Sequence, residues 1–144
     1  KEYGERIIEL GAKMVSKEEL LEPLPYAVQA INFFSKFTPI CIATSDNREN
    51  TIEMVEYLNI EDKIKCIVTS DEVEKGKPEA DILLKISEIL NIEPSKLLLV
   101  GDNEIDVETA RRAGAKSTII GEKDLGADGW VRNFLEFIEL NKEK

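Results

Sequence analysis

From Pro39 onward the chain alternates between two kinds of segment. PICIA (39–43), IKCIVT (64–69), KLLLV (96–100) and KSTII (116–120) are short, apolar and bounded by turn residues, as strands are. The segments between them carry a helical period instead. Over 50–59 the spacing brings Ile52, Val55 and Leu58 to one face, and over 79–90 it does so for Ile82, Leu83, Ile86, Ile89 and Leu90. A shorter helix is expected over 106–114, stopped by Gly114, and another over 130–140 with Val131, Phe134, Leu135 and Ile138. Strands joined by helical crossovers run parallel and need helices on both faces to bury them. The expected fold class is therefore α/β, a Rossmann-like, doubly wound, mostly parallel sheet.

Upstream the pattern is less regular. The spacing of Ile7, Ile8 and Met14 predicts a helix over 3–15. A linker follows to Pro25, and then a helix over 26–37 with Val28, Ile31, Phe34 and Phe37 inward. At 144 residues the chain has the length of one domain.

Composition removes several chemistries. With no histidine, a Ser-His-Asp or Cys-His hydrolase and a His-ligated zinc enzyme are excluded as activities of this chain alone. Nineteen Lys and Arg against 29 Asp and Glu give a net charge of -10, which repels a nucleic-acid backbone, so no nucleic-acid partner is expected. Cys41 and Cys66 lie in apolar runs and read as buried, reduced thiols. No apolar run approaches the ~20 residues of a membrane span and nothing resembles a signal peptide, so a cytoplasmic location and no membrane partner are expected.

Polar residues cluster just past the strand ends, where open α/β sheets bind ligands. Thr44, Ser45 and Asp46 follow one strand, Gly76-Lys77-Pro78 opens the helix after the next, and Gly101-Asp102 with Asp106 follows a third. Each has an ordinary explanation: Asp102 and Asp106 as acids at a helix start, Thr44, Ser45, Asp46 or Asn47 as helix caps, Lys77 as a loop lysine. Together they form a hydroxyl, an ammonium and two carboxylates at one sheet edge. That set suits a phosphate held beside a hard, oxygen-seeking cation such as Mg2+.

At this point the sequence resembles the haloacid dehalogenase (HAD) superfamily, and within it the phosphoglycolate-phosphatase-like branch. IATSDN resembles the family's second motif, with Thr44 as phosphate-binding hydroxyl and Ser45 offering its backbone. VTSDEVEKGKPEADILL resembles the third, with Lys77 steadying the phosphate. VGDNEIDVETARRAGA resembles the fourth, with Asp102 as a Mg2+ ligand and Asp106 supporting the metal or its waters. The resemblance implies a Mg2+-dependent phosphatase acting on a small phosphorylated metabolite, with Lys77 and Thr44 as catalytic residues.

The family's first motif, a strand ending in Asp-x-Asp-x-Thr that supplies nucleophile and general acid, does not occur here. No two aspartates lie two positions apart, and none precedes Asp46. By resemblance, residues 1–23 match the remnant of a helical cap and linker, and 24–144 the core domain. The first strand, which in the family occupies the sheet's centre, and most of the cap are then expected to be absent, leaving two inner strand edges unpaired. One expectation is the C-terminal part of a phosphatase, inactive without an N-terminal segment. The alternatives are a non-catalytic domain that binds phosphate, Mg2+ or a protein partner, and a structural domain with a strand exchanged in a homodimer.

Overall fold

The computed structural model describes the backbone of Ile7–Leu10 and all of residues 26–142. Among them, six strands form one sheet: β1 (Ile7–Leu10), β2 (Ile40–Thr44), β3 (Cys66–Thr69), β4 (Leu97–Gly101), β5 (Lys116–Ile120) and β6 (Gly129–Val131). Their order across the sheet is β3-β2-β1-β4-β5-β6, and every neighbouring pair is parallel. This is the doubly wound order, with the chain reversing direction across the sheet between β1 and β4. The connecting helices are α1 (Ala27–Phe34), α2 (Arg48–Tyr57), α3 (Asp81–Leu90) and α4 (Glu104–Ala113), and α5 (Phe134–Lys142) follows β6.

The layers follow from the two-residue period of a strand. Ile40 and Ile42 of β2 and Leu98 and Val100 of β4 face one way, into a cluster with Phe34 of α1, Met54 and Val55 of α2 and Phe137 of α5. Cys41, Ala43, Leu97 and Leu99 face the other way, onto Ile82, Leu83 and Ile86 of α3 and Ala110 of α4. Two helical layers thus cover one sheet, and burying each of the larger side chains stabilises the fold by about 1.5–3 kcal/mol. None of the described helices is long and apolar enough to cross a membrane.

Three sequence expectations are corrected. The first concerns the centre of the sheet, expected vacant. Ile7–Leu10 fills it, in register with Leu97–Val100 on one side and with Ile40 and Cys41 on the other. The helix expected over 3–15 is therefore a strand at 7–10, and these residues belong to the core rather than to a segment divided from it at residue 23. A run as short as IIEL fits strand or helix equally by periodicity, and two inner edges offering unpaired N–H and C=O groups decide the matter. The cap and linker expected over the other residues up to 23 lie outside the described residues.

The second correction is at 130–140. Gly129–Val131 is strand β6, paired with Thr118–Ile120, and α5 begins only at Phe134. Asn133 marks the boundary: its Oδ1 accepts from Glu136 N at 2.9 Å, while Glu136 Oε1 accepts from Arg132 N at 2.7 Å. The third concerns facing. Phe37, Ile52, Ile89 and Leu135 are exposed, and α2 buries Thr51 and Met54 beside the expected Val55.

β3 is an edge strand, and it is tied to α2. Arg48 of α2 donates to the carbonyl of Ile67 and pairs with Glu72 in the turn after β3. The guanidinium holds the Glu72 carboxyl well below its usual range, at about 2. Along the β2–β3 ladder Cys41 stands opposite Cys66 and Thr44 opposite Thr69. Cys41 is buried as expected, whereas Cys66 is half-buried.

Candidate active site

The predicted site residues lie where the strands end, beside the reversal between β1 and β4. Thr44 closes β2, Gly101 closes β4, and Lys77 sits in the turn that leads from β3 into α3. Lys77 is an internal strut. Its Nζ donates to the carbonyl of Ala43 at 3.0 Å and to Asp106 Oδ1 at 2.9 Å, and the two charged side chains are only 6% and 4% exposed. A charge removed this far from water persists only against a partner, so the pair fixes the turn before α3 against both β2 and α4.

Asp106 is shared between two contacts. Its Oδ2 accepts from the backbone N–H of Asp102 at 3.2 Å, so both carboxylate oxygens are engaged, one by Lys77 and one by the loop that carries Asp102. Asp106 does not cap the helix, although its place in the first turn allowed that reading. The cap of α4 is Asn103, whose Oδ1 accepts from Asp106 N at 3.1 Å and whose Nδ2 donates to Asp102 Oδ1 at 3.2 Å. Gly114 ends the helix at φ 80°, a left-handed conformation that suits glycine.

Gly101 is needed for space. A Cβ there would stand 2.1 Å from Asp106 Oδ2, 2.4 Å from its Cγ and 2.6 Å from its Cβ. The Gly-Asp step thus lets β4 end directly against a buried carboxylate.

Thr44 is buried, and its Oγ1 accepts from Asp46 N at 3.0 Å. A hydroxyl that accepts keeps its own proton to donate, as phosphate binding requires. Ser45 is exposed in the turn that follows. The capping role open to Thr44, Ser45, Asp46 or Asn47 falls to Asn47, whose Oδ1 accepts from Asn50 N at 2.7 Å.

Lys77, Asp102 and Asp106 are therefore joined directly, and Thr44 adjoins them through the Ala43 carbonyl. Sequence reasoning missed Gly101 as a steric requirement and Asn103 as the cap. An asparagine directly before the helical period was the available signal for Asn103. The carboxylates supply oxygen donors of the kind Mg2+ takes. Among the described residues, however, no group of three or more acidic, Cys or His side chains converges into a metal site.

Residues 5–120 match the family model of the haloacid dehalogenase-like hydrolases. The chain belongs to this family. A phosphoglycolate phosphatase of Chromobacterium violaceum is 32% identical over 109 residues, which cover 72% of this chain and 49% of that protein. A phosphorylated carbohydrates phosphatase of Thermotoga maritima is 34% identical over 97 residues, covering 67% and 45%. The fold matches that of a HAD-superfamily hydrolase from Geobacter sulfurreducens with a TM-score of 0.74 at 22% identity, over 82% of this chain and 55% of that one. The chain thus spans about half the length of the curated relatives it matches.

Proposed function

We propose that this chain carries the phosphate- and metal-binding half of a phosphomonoesterase centre that acts in the cytoplasm on a small phosphorylated metabolite. The observation that carries the reading is the buried Lys77–Asp106 pair seated on the Ala43 carbonyl, immediately before Thr44. It anchors one ammonium on the backbone directly before a hydroxyl-bearing residue at a strand end, and an ammonium with a hydroxyl is what a phosphoryl group needs on its equatorial oxygens. Thr44 donates its hydroxyl proton to the phosphate, and Lys77 offsets the charge that gathers there.

Asp102 would hold Mg2+ together with a carboxylate from outside this sequence. Asp106 works from behind, orienting Lys77 and the Asp102 amide. Mg2+ supplies charge neutralisation at the phosphoryl oxygens when bound. The attacking carboxylate must also come from elsewhere: β1 is followed by Gly11, Ala12 and Lys13, which offer none.

The same observation about β1 favours a second reading, a non-catalytic phosphate- and Mg2+-binding domain whose sheet is completed by its own inert strand. Hydrolysis of an aryl phosphate with Mg2+ separates the two, measured for the chain alone and for a variant carrying Gly11→Asp, Lys13→Asp and Val15→Thr, which writes an Asp-x-Asp-x-Thr run directly after β1. Turnover in the variant, abolished by Lys77→Ala, supports the esterase. Inorganic phosphate binding without turnover supports the second reading, and neither binding nor turnover by a folded chain refutes both.

A further inference from the structure

The proposed phosphatase chemistry uses neither cysteine, yet the two are placed side by side. Cys41 of β2 and Cys66 of β3 are register partners on adjacent parallel strands, and their Sγ atoms lie 2.8 Å apart. Neighbouring strands are about 4.8 Å apart, which lies within the Cα separations of roughly 4.4–6.8 Å that a disulfide spans. The two residues differ in access. Cys41 is fully buried against Leu97, Leu99 and the helices beyond, whereas Cys66 is half-buried on the sheet's edge strand.

Three features mark Cys66 as the reactive member. It can be reached from solvent, it has a second thiol in contact, and the Arg48 guanidinium lies near it. The contact with Cys41 draws its pKa below the ordinary value, burial works against this, and the charge on Arg48 adds to the lowering. Reactive thiols are found in such partly exposed, electropositive settings with a resolving thiol at hand.

We propose that Cys66 is a site of oxidation by hydroperoxides, and that Cys41 resolves the product into an intrachain Cys41–Cys66 disulfide joining β2 to β3. In the first step the Cys66 thiolate attacks a peroxide oxygen. The O–O bond breaks, the sulfur is oxidised by two electrons to sulfenic acid, and the released hydroxide takes up the proton that Cys66 gave up. In the second step the Cys41 sulfur attacks the sulfenic sulfur, the S–S bond forms, and the hydroxyl leaves as water with the Cys41 proton. Two thiols and one hydrogen peroxide give one disulfide and two waters. The cross-link falls in the ladder that ends at Thr44 and Thr69, so oxidation acts on the strand pair that carries Thr44 to the site.

The test is peptide mapping of the full chain before and after stoichiometric hydrogen peroxide, with N-ethylmaleimide as the thiol probe and circular dichroism as the check on folding. In the untreated protein Cys66 is expected to be alkylated at least about tenfold faster than Cys41. After peroxide, the mass should fall by two hydrogens and a Cys41–Cys66 linked peptide should appear, reversed by dithiothreitol. Cys66→Ser should lose the linkage completely, and Cys41→Ala should halt at a dimedone-reactive Cys66. A folded wild-type protein that keeps both thiols through excess peroxide overturns the proposal. So does cross-linking only between chains, or alkylation of Cys41 ahead of Cys66. Should Cys41→Ala fail to fold, the wild-type map decides alone.

Discussion

Replacing Gly101 with alanine tests the geometry of the site through the sign of its effect. Gly101 is the last residue of β4 and has no positive φ that would demand glycine, so propensity alone favours alanine there by about 0.5–1 kcal/mol. The structure predicts the opposite. The added Cβ would meet Asp106 at 2.1–2.6 Å, so the carboxylate must swing away and give up its 2.9 Å contact with Lys77 and its 3.2 Å contact with Asp102 N. Breaking a buried pair so that one charge is stranded costs about 3–5 kcal/mol. For a domain of this size that lowers Tm by roughly 10 °C.

The assay is urea unfolding of a double-mutant cycle with Asp106→Gly, a variant that removes all three of the atoms the new Cβ would meet. Gly101→Ala should cost about 3–5 kcal/mol in the parent and under about 1 kcal/mol in the Asp106→Gly background, because the two changes then share one lost interaction. Equal costs in both backgrounds, or a stabilised Gly101→Ala single variant, would mean that Asp106 does not require glycine at 101.

Other consequences can be checked separately. Asn103→Ala removes the cap of α4 and the hold on Asp102, and should cost about 1 kcal/mol by thermal unfolding; an unchanged Tm would remove Asn103 from the site's support. Glu72 has its pKa depressed from 4.5 to about 2 by Arg48, so its stabilisation is complete above the unfolded value and is lost as pH falls from 4.5 towards 2. Because both side chains are partly exposed, the gain is screened to under about 1 kcal/mol. The stability gap between the parent and Glu72→Gln should thus be present at pH 7 and closed near pH 2; a gap that widens on acidification would contradict the pairing. With a first-motif strand supplied and turnover observed, Lys77→Ala should lower kcat more than Mg2+ affinity, while Asp102→Ala should weaken Mg2+ binding first. If both left activity unchanged, the assignment of these residues would fail.

Much of this could be read from the chain because local and global signals agree in its second half. The runs at 96–100 and 116–120 become β4 and β5 within a residue, and the strong apolar period before Asn91 becomes α3. The convergence of Lys77 with Asp106 was legible for the same reason: parallel strands fix where their following loops must lie. What escaped was decided by distant partners. Ile7–Leu10 is strand because β2 and β4 flank it, Trp130 and Val131 because β5 offers an edge, and no local period encodes either fact. Gly101 escaped for another reason, since its role is the volume of a side chain five positions on, and a sequence displays no volumes.

The position of β1 sets the order in which the fold can close. Ile8 pairs with Ile40 on one side and with Leu98 on the other, so the first of the described strands to be synthesised waits for the fourth before its second edge is satisfied. A nascent chain that has reached β3 holds only the β1–β2–β3 side of the sheet, with the inner edge of β1 bare. That edge is a template for any passing strand, and contacts so far apart in sequence form slowly. Between the emergence of β3 and that of β4, the growing polypeptide carries that edge of β1 without its native partner.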